Sequence, residues 1–285
     1  MILIISICSS SSAAGVYSFS EDNTVIGMTK PYKIKNDESL IEIARRFDIG
    51  FNEITEANPD LDAFIPGAGK SVNIPTSWVL PDVAFGNLIV INLSEMRLYY
   101  FFKKKKSMFV TTFPIGIGSE GTDTPEGNFK IVGKQVNPSW YVPASIRKEK
   151  PTLPRVVPPG PDNPLGTHAL RLSAKSVLIH GTNRPYAVGR KASHGCIRMY
   201  PEDIPELFRL VPKGFRVSIV RQPLKLGIKN SEIYIEVHND KDKNLNYYKE
   251  AIALLIKKNL LESVSTEKLY HALKEKRGIP VNISN

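Results

Sequence analysis

The sequence predicts a multidomain protein. A mostly-β domain is expected over residues 84–221, preceded by a small βααβ module over residues 31–76 and followed by an extension with one strand and two helices over residues 222–285. Helical spacing between two short strands marks the first segment, β-rich runs separated by glycine and proline fill the second, and helical periodicity returns in the third. A chain of 285 residues with 42% hydrophobic residues can bury more than one core.

Residues 1–25 are predicted to contain an export signal. In "MILIISICSSSSAA" an apolar stretch is followed by small residues, with Ser12 and Ala14 placed as before a signal-peptidase cut. The stretch is short and lacks a basic n-region, so a misplaced start codon is the alternative. Cys8 is a poor lipid-attachment site because the residue before it is not small. We therefore expect a protein of the periplasm or cell envelope, with Cys196 as its one remaining cysteine and no internal disulfide.

The segment 31–76 is predicted to fold as strand, helix, helix, strand. Ser39, with Glu42 three residues later, forms a capping-box signature. The residues that follow share one helix face at i, i+3, i+4 and i+7: Leu40, Ile43, Ala44 and Phe47. A second short helix around Ile54 is stopped by "NP", and the closing "SVNIP" is predicted to pair with the opening strand "YKI".

Residues 84–221 carry β-branched and aromatic residues in runs of strand length, such as "NLIVINLSEMRLYYF", "SMFVTTFPIGIG", "GNFKIVGKQ", "HALRLSAKSVLIHG" and "FRVSIV". Helical spacing is found mainly in "PEDIPELFRLV", shortly after Cys196. The proline-rich "KEKPTLPRVVPPGPDNPLG" is predicted to be a long excursion over the surface. Loops of that length in a compact domain are usually functional or disordered.

Residues 222–285 are less informative about function. "EIYIEVHN" predicts a strand, and "NYYKEAIALLIKK" predicts a helix with one apolar face. A second helix, "TEKLYHALKEKRG", ends at Gly278 before Pro280. A basic amphipathic helix can contact a membrane or a partner, but packing on the protein's own domain is the simpler prediction.

The net charge of +10 favours an anionic partner such as a cell-wall polymer, a membrane surface or nucleic acid. The sequence contains no recognisable nucleic-acid motif, so no nucleic-acid partner is expected. The run Lys103 to Lys106 follows "RLYYFF" and precedes another apolar run, which predicts a solvated hairpin tip.

Candidate catalytic residues converge on "KASHGCIRMYPED". A nucleophilic cysteine needs a base to generate its thiolate. His180 ends the apolar run "LIHGTN", where a sheet rim can hold it rigidly, and enough chain separates it from Cys196 to turn and return. His194 is closer in sequence, but Gly195 argues against the flat backbone that would point both side chains the same way. The N–H groups of Gly195 and Cys196 are natural oxyanion donors.

Two alternatives stand beside a nucleophilic role. An isolated cysteine is more often a small buried hydrophobic residue, and an isolated histidine is more often structural. Cysteine and histidine also suit zinc, which needs a third and usually a fourth ligand, with His168 or Asp203 as the candidates. No second cysteine or HxxxH spacing is available for such a site once Cys8 is removed, so we expect no metal.

Two resemblances sharpen these predictions. The segment 31–76 resembles a LysM module, which binds glycan strands of peptidoglycan or chitin, through "YKI", "SLIEIARRF", "EANP", Gly69 and "NIP". "HGTNRPYAVGRKASHGCIRM" is similar to the signature of YkuD-type L,D-transpeptidases, in which HGT is followed by SHGC[IV]R. This similarity extends from Ala84 to the "IEVHN" near His238, and "MRLYYF", "FPIGIG", "DTPEGNF" and "VVPPGPDNPLGTHAL" resemble the ErfK/YbiS subgroup, which is exported and carries a LysM-like module.

The resemblance implies a YkuD-like β-sandwich with a few short helices and an acyl-transfer site without cofactors. It makes Cys196 the nucleophile and His180 its general base, oriented by the backbone carbonyl near Gly181, with His194 as a third catalytic residue that lies beside the thiolate and helps to position the site. Ser193 and Gly195 match the motif as loop-shaping residues, and Arg198, by residue type, is placed to meet a stem-peptide carboxylate.

The partners implied are peptidoglycan stem peptides and glycan strands, an envelope lipoprotein as an alternative acceptor, and carbapenems as covalent inhibitors. Two other function classes remain open. A cysteine hydrolase would cleave the same bonds with water as acceptor. A LysM wall-binding protein with an inactive catalytic domain would bind glycan without any covalent thiol adduct.

Overall fold

The computed structural model describes residues 15–174, 176–240 and 244–285. Of the predicted signal segment 1–25, residues 1–14, including Cys8, lie outside the described residues. The later part of that segment takes part in the fold, where it supplies the strand Val16–Phe19 and the first residue of the strand Val25–Gly27. Within the described residues, no helix is long and apolar enough to cross a bilayer.

Residues 15–80 form short strands and two helices: β1 (Val16–Phe19), β2 (Val25–Gly27), β3 (Lys30–Lys33), α1 (Leu40–Arg46), α2 (Phe51–Ala57), β4 (Ser71–Ile74) and β5 (Ser77–Val79). β3 pairs antiparallel with β4, so the predicted strand, helix, helix, strand order is confirmed. The predicted capping box is also present: the Glu42 N–H donates to Ser39 Oγ, and the Glu42 carboxylate accepts from the Ser39 N–H at 2.8 Å.

The middle of the chain is mostly β. Its strands are β6 (Leu88–Asn92), β7 (Arg97–Lys104), β8 (Ser107–Gly118), β9 (Gly127–Val136), β10 (Trp140–Tyr141), β11 (Val156–Val157), β12 (His168–Leu172), β13 (Leu178–His180), β14 (Lys191–Ser193), β15 (Ile197–Met199) and β16 (Arg216–Val220). Its helices are α3 (Ala144–Glu149) and α4 (Asp203–Leu210), with a 3₁₀ turn at Pro185–Ala187. The predicted hairpin tip at Lys103 to Lys106 consists of the last two residues of β7 and the two-residue turn, Lys105 and Lys106, that leads into β8.

The strands of this domain close on themselves. The path runs β8, β15, β13, β12, β9, β16, β6, β7 and returns to β8, with β1 and β14 as further partners of β8. β8 is 12 residues long and can therefore pair with β7 along one part and with β15 along another. The side chains that alternate inward, such as Ile89, Leu98, Phe113, Ile179 and Ile197, form one fully buried core against α4.

The LysM-like segment shares a second core with the outer face of this sheet. Ile43 of α1 and Ile54 of α2 belong to the same buried cluster as Val90 of β6 and Tyr99 and Phe101 of β7. The segment therefore packs on the outer face of this sheet. A buried ion pair crosses the contact, as Arg97 Nε donates to Glu53 Oε1 at 2.8 Å and Arg97 Nη2 donates to Glu53 Oε2 at 2.9 Å.

Residues 222–285 form a third unit with a core of its own. It contains β17 (Leu224–Lys229), β18 (Glu232–Val237), α5 (Tyr247–Lys257), a 3₁₀ turn at Leu261–Ser263, α6 (Thr266–Glu275) and β19 (Val281–Asn282). Both predicted helices are present, and the structure has three strands where one was expected, because "LKLGIK" pairs antiparallel with "EIYIEV" and the chain end adds to its other side. Buried Lys225 ties this unit to the rest by donating to Glu95 at 2.7 Å and to the Val79 carbonyl at 2.7 Å.

Candidate active site

Cys196 lies at the end of the turn that joins β14 to β15. Gly195 makes this turn with φ at +90°, in the left-handed region that glycine adopts without steric cost. The β8–β9 connection clamps the turn: the Ser119 N–H donates to the Ser193 carbonyl at 2.8 Å, and Thr124 Oγ1 donates to the Gly195 carbonyl at 3.2 Å. Ser193 Oγ donates to the Cys196 carbonyl and closes the turn from inside.

Sheet register places the predicted histidine beside this cysteine. β13 and β15 are parallel neighbours with Ile179 opposite Ile197 and His180 opposite Arg198. Cys196 directly precedes β15, so the register places it level with Leu178. Side chains alternate along a strand, so His180, two residues after Leu178, points to the same face as Cys196. The two residues are therefore diagonal neighbours on adjacent strands.

The Cys196 thiol is half-buried and faces a cavity of about 360 Å³. Its Sγ lies 3.6 Å from the Ser176 carbonyl oxygen. Burial raises the pKa of the thiol above its usual value, and this effect outweighs a backbone hydrogen bond from Leu178 and the positive charges of Arg198 and Arg171, which lower the pKa.

The His180 imidazole is buried, and its Nδ1 lies 2.6 Å from the Gly181 carbonyl oxygen. A carbonyl can only accept, so Nδ1 carries the proton and Nε2 keeps its lone pair. Burial lowers the pKa of His180 to about 4, with the positive charge of Arg198 acting in the same direction and the Gly181 bond opposing both. The ring is therefore a neutral base at neutral pH.

These two pKa shifts predict the pH dependence of thiol reactivity. We expect the rate of Cys196 alkylation by iodoacetamide to rise steadily from about pH 6 to about pH 9, because a protonated thiol beside a neutral imidazole gains thiolate only as the pH rises. The measurement is peptide mass mapping in a Cys8→Ser background. A rate already constant from about pH 5 upward would show a thiolate–imidazolium pair and contradict the account.

His194 faces away from the Cys196 cavity. It lines a second cavity of about 260 Å³ together with Arg198 and Arg184. Its Nε2 lies 3.2 Å from Glu149 Oε2 at the end of α3. The turn at Gly195 thus sends the two side chains to different cavities, so the expectation that His194 lies beside the thiolate is wrong: Gly195 breaks the flat backbone that would point both side chains the same way. Arg198 is partly buried in this second cavity, and its Nε has no hydrogen-bond partner among the described residues.

A cap formed by residues 137–166 covers both cavities, and Trp140 lines each of them. The cap includes the proline-rich stretch, and its ordered parts are α3 and the two-stranded pair of β10 and β11. Asn163 stabilises the cap by donating to the carbonyls of Pro138 and Pro158 at 2.8 and 3.1 Å. The sequence did not predict this cap, although the unusual length of the excursion was a signal of function.

The structure gives no support to a zinc site at Cys196. Among the residues that the structure describes, the group of acid and histidine side chains close enough to share an ion consists of Glu95, Glu236 and His238, and neither Cys196 nor His180 belongs to it. That group lies at the junction with the third unit. Lys225 Nζ already places a positive charge there, 2.7 Å from Glu95 and 2.8 Å from Glu236.

Comparison with known proteins identifies the family of this chain. A family model described as the L,D-transpeptidase catalytic domain matches residues 86–219, and the LysM domain model matches residues 32–75. Probable L,D-transpeptidase YbiS of Escherichia coli is 34% identical over 99% of this chain and 95% of that protein. Probable L,D-transpeptidase YcfS of the same species is 35% identical over 91% of this chain and 85% of that protein.

Probable L,D-transpeptidase ErfK/SrfK of Salmonella typhimurium is 36% identical over 87% of this chain and 84% of that protein. Among solved structures, the Ldtfm–avibactam carbamoyl enzyme is 24% identical with a TM-score of 0.37, covering 47% of this chain and 48% of that chain. The assignment to a family rests on YbiS, YcfS and ErfK/SrfK, which match most of this chain. The chain is a member of the L,D-transpeptidase family.

Proposed function

We propose that Cys196 and His180 perform the acyl transfer of this L,D-transpeptidase on peptidoglycan stem peptides. The observation that carries the proposal is that the register of β13 and β15 puts a half-buried thiol at a cavity wall on the same sheet face as a buried neutral imidazole, whose Nδ1 donates to the Gly181 carbonyl. That carbonyl takes the orienting place of an acidic side chain, so the Nε2 lone pair is available to accept the thiol proton.

In the first half-reaction, Cys196 Sγ attacks the carbonyl carbon of the third stem residue, typically meso-diaminopimelate, while its proton passes to His180 Nε2. The oxyanion is stabilised by the N–H groups of Gly195 and Cys196, which the clamped turn holds in place. The tetrahedral intermediate collapses as the C–N bond breaks. The imidazolium returns the proton to the leaving amine, D-alanine departs, and a thioester remains.

In the second half-reaction an amine attacks the thioester carbonyl, gives up a proton to His180 and releases the Cys196 thiol. A side-chain amine of another stem gives a 3→3 cross-link, and a lysine of an envelope lipoprotein gives an anchored protein. The second cavity suits the acceptor because Arg198 and Arg184 present positive charge to a stem carboxylate there, with His194 at its wall.

The LysM segment 31–76 would hold the catalytic domain 84–221 against glycan strands at the cell envelope, in the periplasm of a Gram-negative cell. Because the LysM segment shares a core with the catalytic sheet, glycan bound to it is held at a fixed distance from Cys196. The unit 222–285 is joined to this arrangement through Lys225, which donates to Val79 and Glu95.

The products formed from a disaccharide tetrapeptide test this function. We expect the purified protein to release D-alanine and to form a dimer of the mass of a 3→3 cross-link, detected by mass spectrometry. A tripeptide without dimer would identify a cysteine hydrolase. No turnover by a folded protein that still binds sacculi would identify a LysM wall-binding protein.

A further inference from the structure

The wall of the Cys196 cavity carries an arginine that the family signature does not contain. Arg171 lies on β12, opposite Leu178 of β13, and Leu178 is level with Cys196 on the next strand. Arg171 and Cys196 therefore sit on the same face, two strands apart. At a strand spacing of about 4.8 Å, their Cα atoms are separated by about 10 Å.

The cavity is basic. Its lining includes Lys134 and Arg171 but no acidic side chain among the described residues. Lys134 is committed elsewhere, because its Nζ donates to the carbonyls of Phe208 and Val211 at the end of α4. Arg171 is exposed, and it has neither an ion-pair nor a hydrogen-bond partner among the described residues. Its partner on β9 is Gly133, which has no side chain to face Arg171.

An unpaired guanidinium two strands away from Cys196 is suited to bind the C-terminal carboxylate of the donor peptide. When the scissile carbonyl carbon is at Cys196 Sγ, the carboxylate of the amino acid being released lies about 3–4 Å farther on, because a single residue separates the two carbons. The distance that is left between this carboxylate and the Cα atom of Arg171 matches the reach of an arginine side chain. Arg198 is not available for this contact, since it lines the other cavity.

We propose that Arg171 binds the α-carboxylate of the C-terminal residue that is released from the donor stem, and so selects donors that end one residue after the scissile bond. This inference rests on the proposed function. An arginine and a carboxylate form a charge-assisted, two-point contact. A donor with one further residue would move its carboxylate by about 3.8 Å, and an amidated donor would lack the charge.

The test compares disaccharide tetrapeptides that end in a free carboxylate or in a carboxamide. We expect the wild type to prefer the free acid by about 10- to 100-fold in kcat/KM. Arg171→Gln should lower kcat/KM for the acid to that of the amide and leave the amide unchanged, and Arg171→Lys should retain part of the preference. Arg209→Gln on the exposed face of α4 removes the same charge outside the cavity and should change neither value.

A wild type that accepts both donors equally, or an Arg171→Gln variant that keeps the wild-type preference, would overturn the inference and leave the proposed function intact. Failure of the proposed function would instead appear as no turnover of either donor. In that event a ratio of two rates still tests whether Arg171 binds an anion: the rate of Cys196 alkylation by iodoacetate divided by the rate by iodoacetamide. The ratio should fall at least about threefold in Arg171→Gln, and an unchanged ratio would refute the site.

Discussion

Cys196→Ala is expected to lower D-alanine release from a disaccharide tetrapeptide by at least about 10⁴-fold. The sulfur is the atom to which the acyl group is transferred, and alanine offers no replacement. His180 and the two cavities remain in place, so substrate binding should survive. Release of D-alanine by the two proteins, followed over time by a coupled amino-acid oxidase assay, measures the effect.

The fold should be unaffected by this change. Cys196 is half-buried at the edge of a cavity, so its loss should alter the free energy of unfolding by no more than about 1 kcal/mol. Urea unfolding of both proteins provides the control. A stable Cys196→Ala variant that releases D-alanine within about tenfold of the wild-type rate would show that another residue is the nucleophile.

Arg97→Met is expected to lower the free energy of unfolding by about 3–5 kcal/mol. Arg97 is fully buried where the LysM segment meets the catalytic sheet, and its guanidinium binds Glu53, the Asp48 carbonyl and Thr112 Oγ1. It also stacks 4.2 Å from the centre of the Trp78 ring. Removing it leaves the Glu53 carboxylate in a dry interface with no positive charge, and that desolvation cost produces the loss of stability.

A matched control lies in the same interface. Arg45 of α1 pairs with Glu202 ahead of α4 at 2.8 Å, but the two side chains are 45% and 43% exposed. Arg45→Met should therefore cost at most about 1 kcal/mol. Urea unfolding of the two variants measures the difference. Equal costs would mean that water reaches Glu53 and that the two segments do not share the buried core described above.

Local patterns in the sequence were sufficient to predict the small module and to select candidates for the reactive residues. The capping box at Ser39 and the spacing from Leu40 depend only on residues within one helix turn, and both are present. Cys196 and His180 were chosen as candidates because a lone cysteine preceded by glycine, with a histidine at a strand end, is an uncommon combination. The resemblance placed His194 beside the thiolate, whereas the turn at Gly195 directs the two side chains into different cavities.

Local patterns could not predict contacts between residues that are far apart in the sequence. Nothing near Arg171 in the chain marks it, because it reaches Cys196 only through the register of three strands. Thr124 and Ser119, which clamp the turn, are similarly distant in sequence. The core that the LysM segment shares with the catalytic sheet is indicated by the sequence. "LIVIN" and "RLYYF" are apolar at successive positions, as in strands buried on both faces.

The intact mass of the protein after incubation with a carbapenem tests the central claim most directly, because the β-lactam ring opens only onto a reactive nucleophile. We predict one adduct on the wild type, mapped to Cys196 by peptide mass spectrometry, and none on Cys196→Ala. An adduct on both proteins, or on neither while both are folded, would contradict the assignment of Cys196 as the nucleophile.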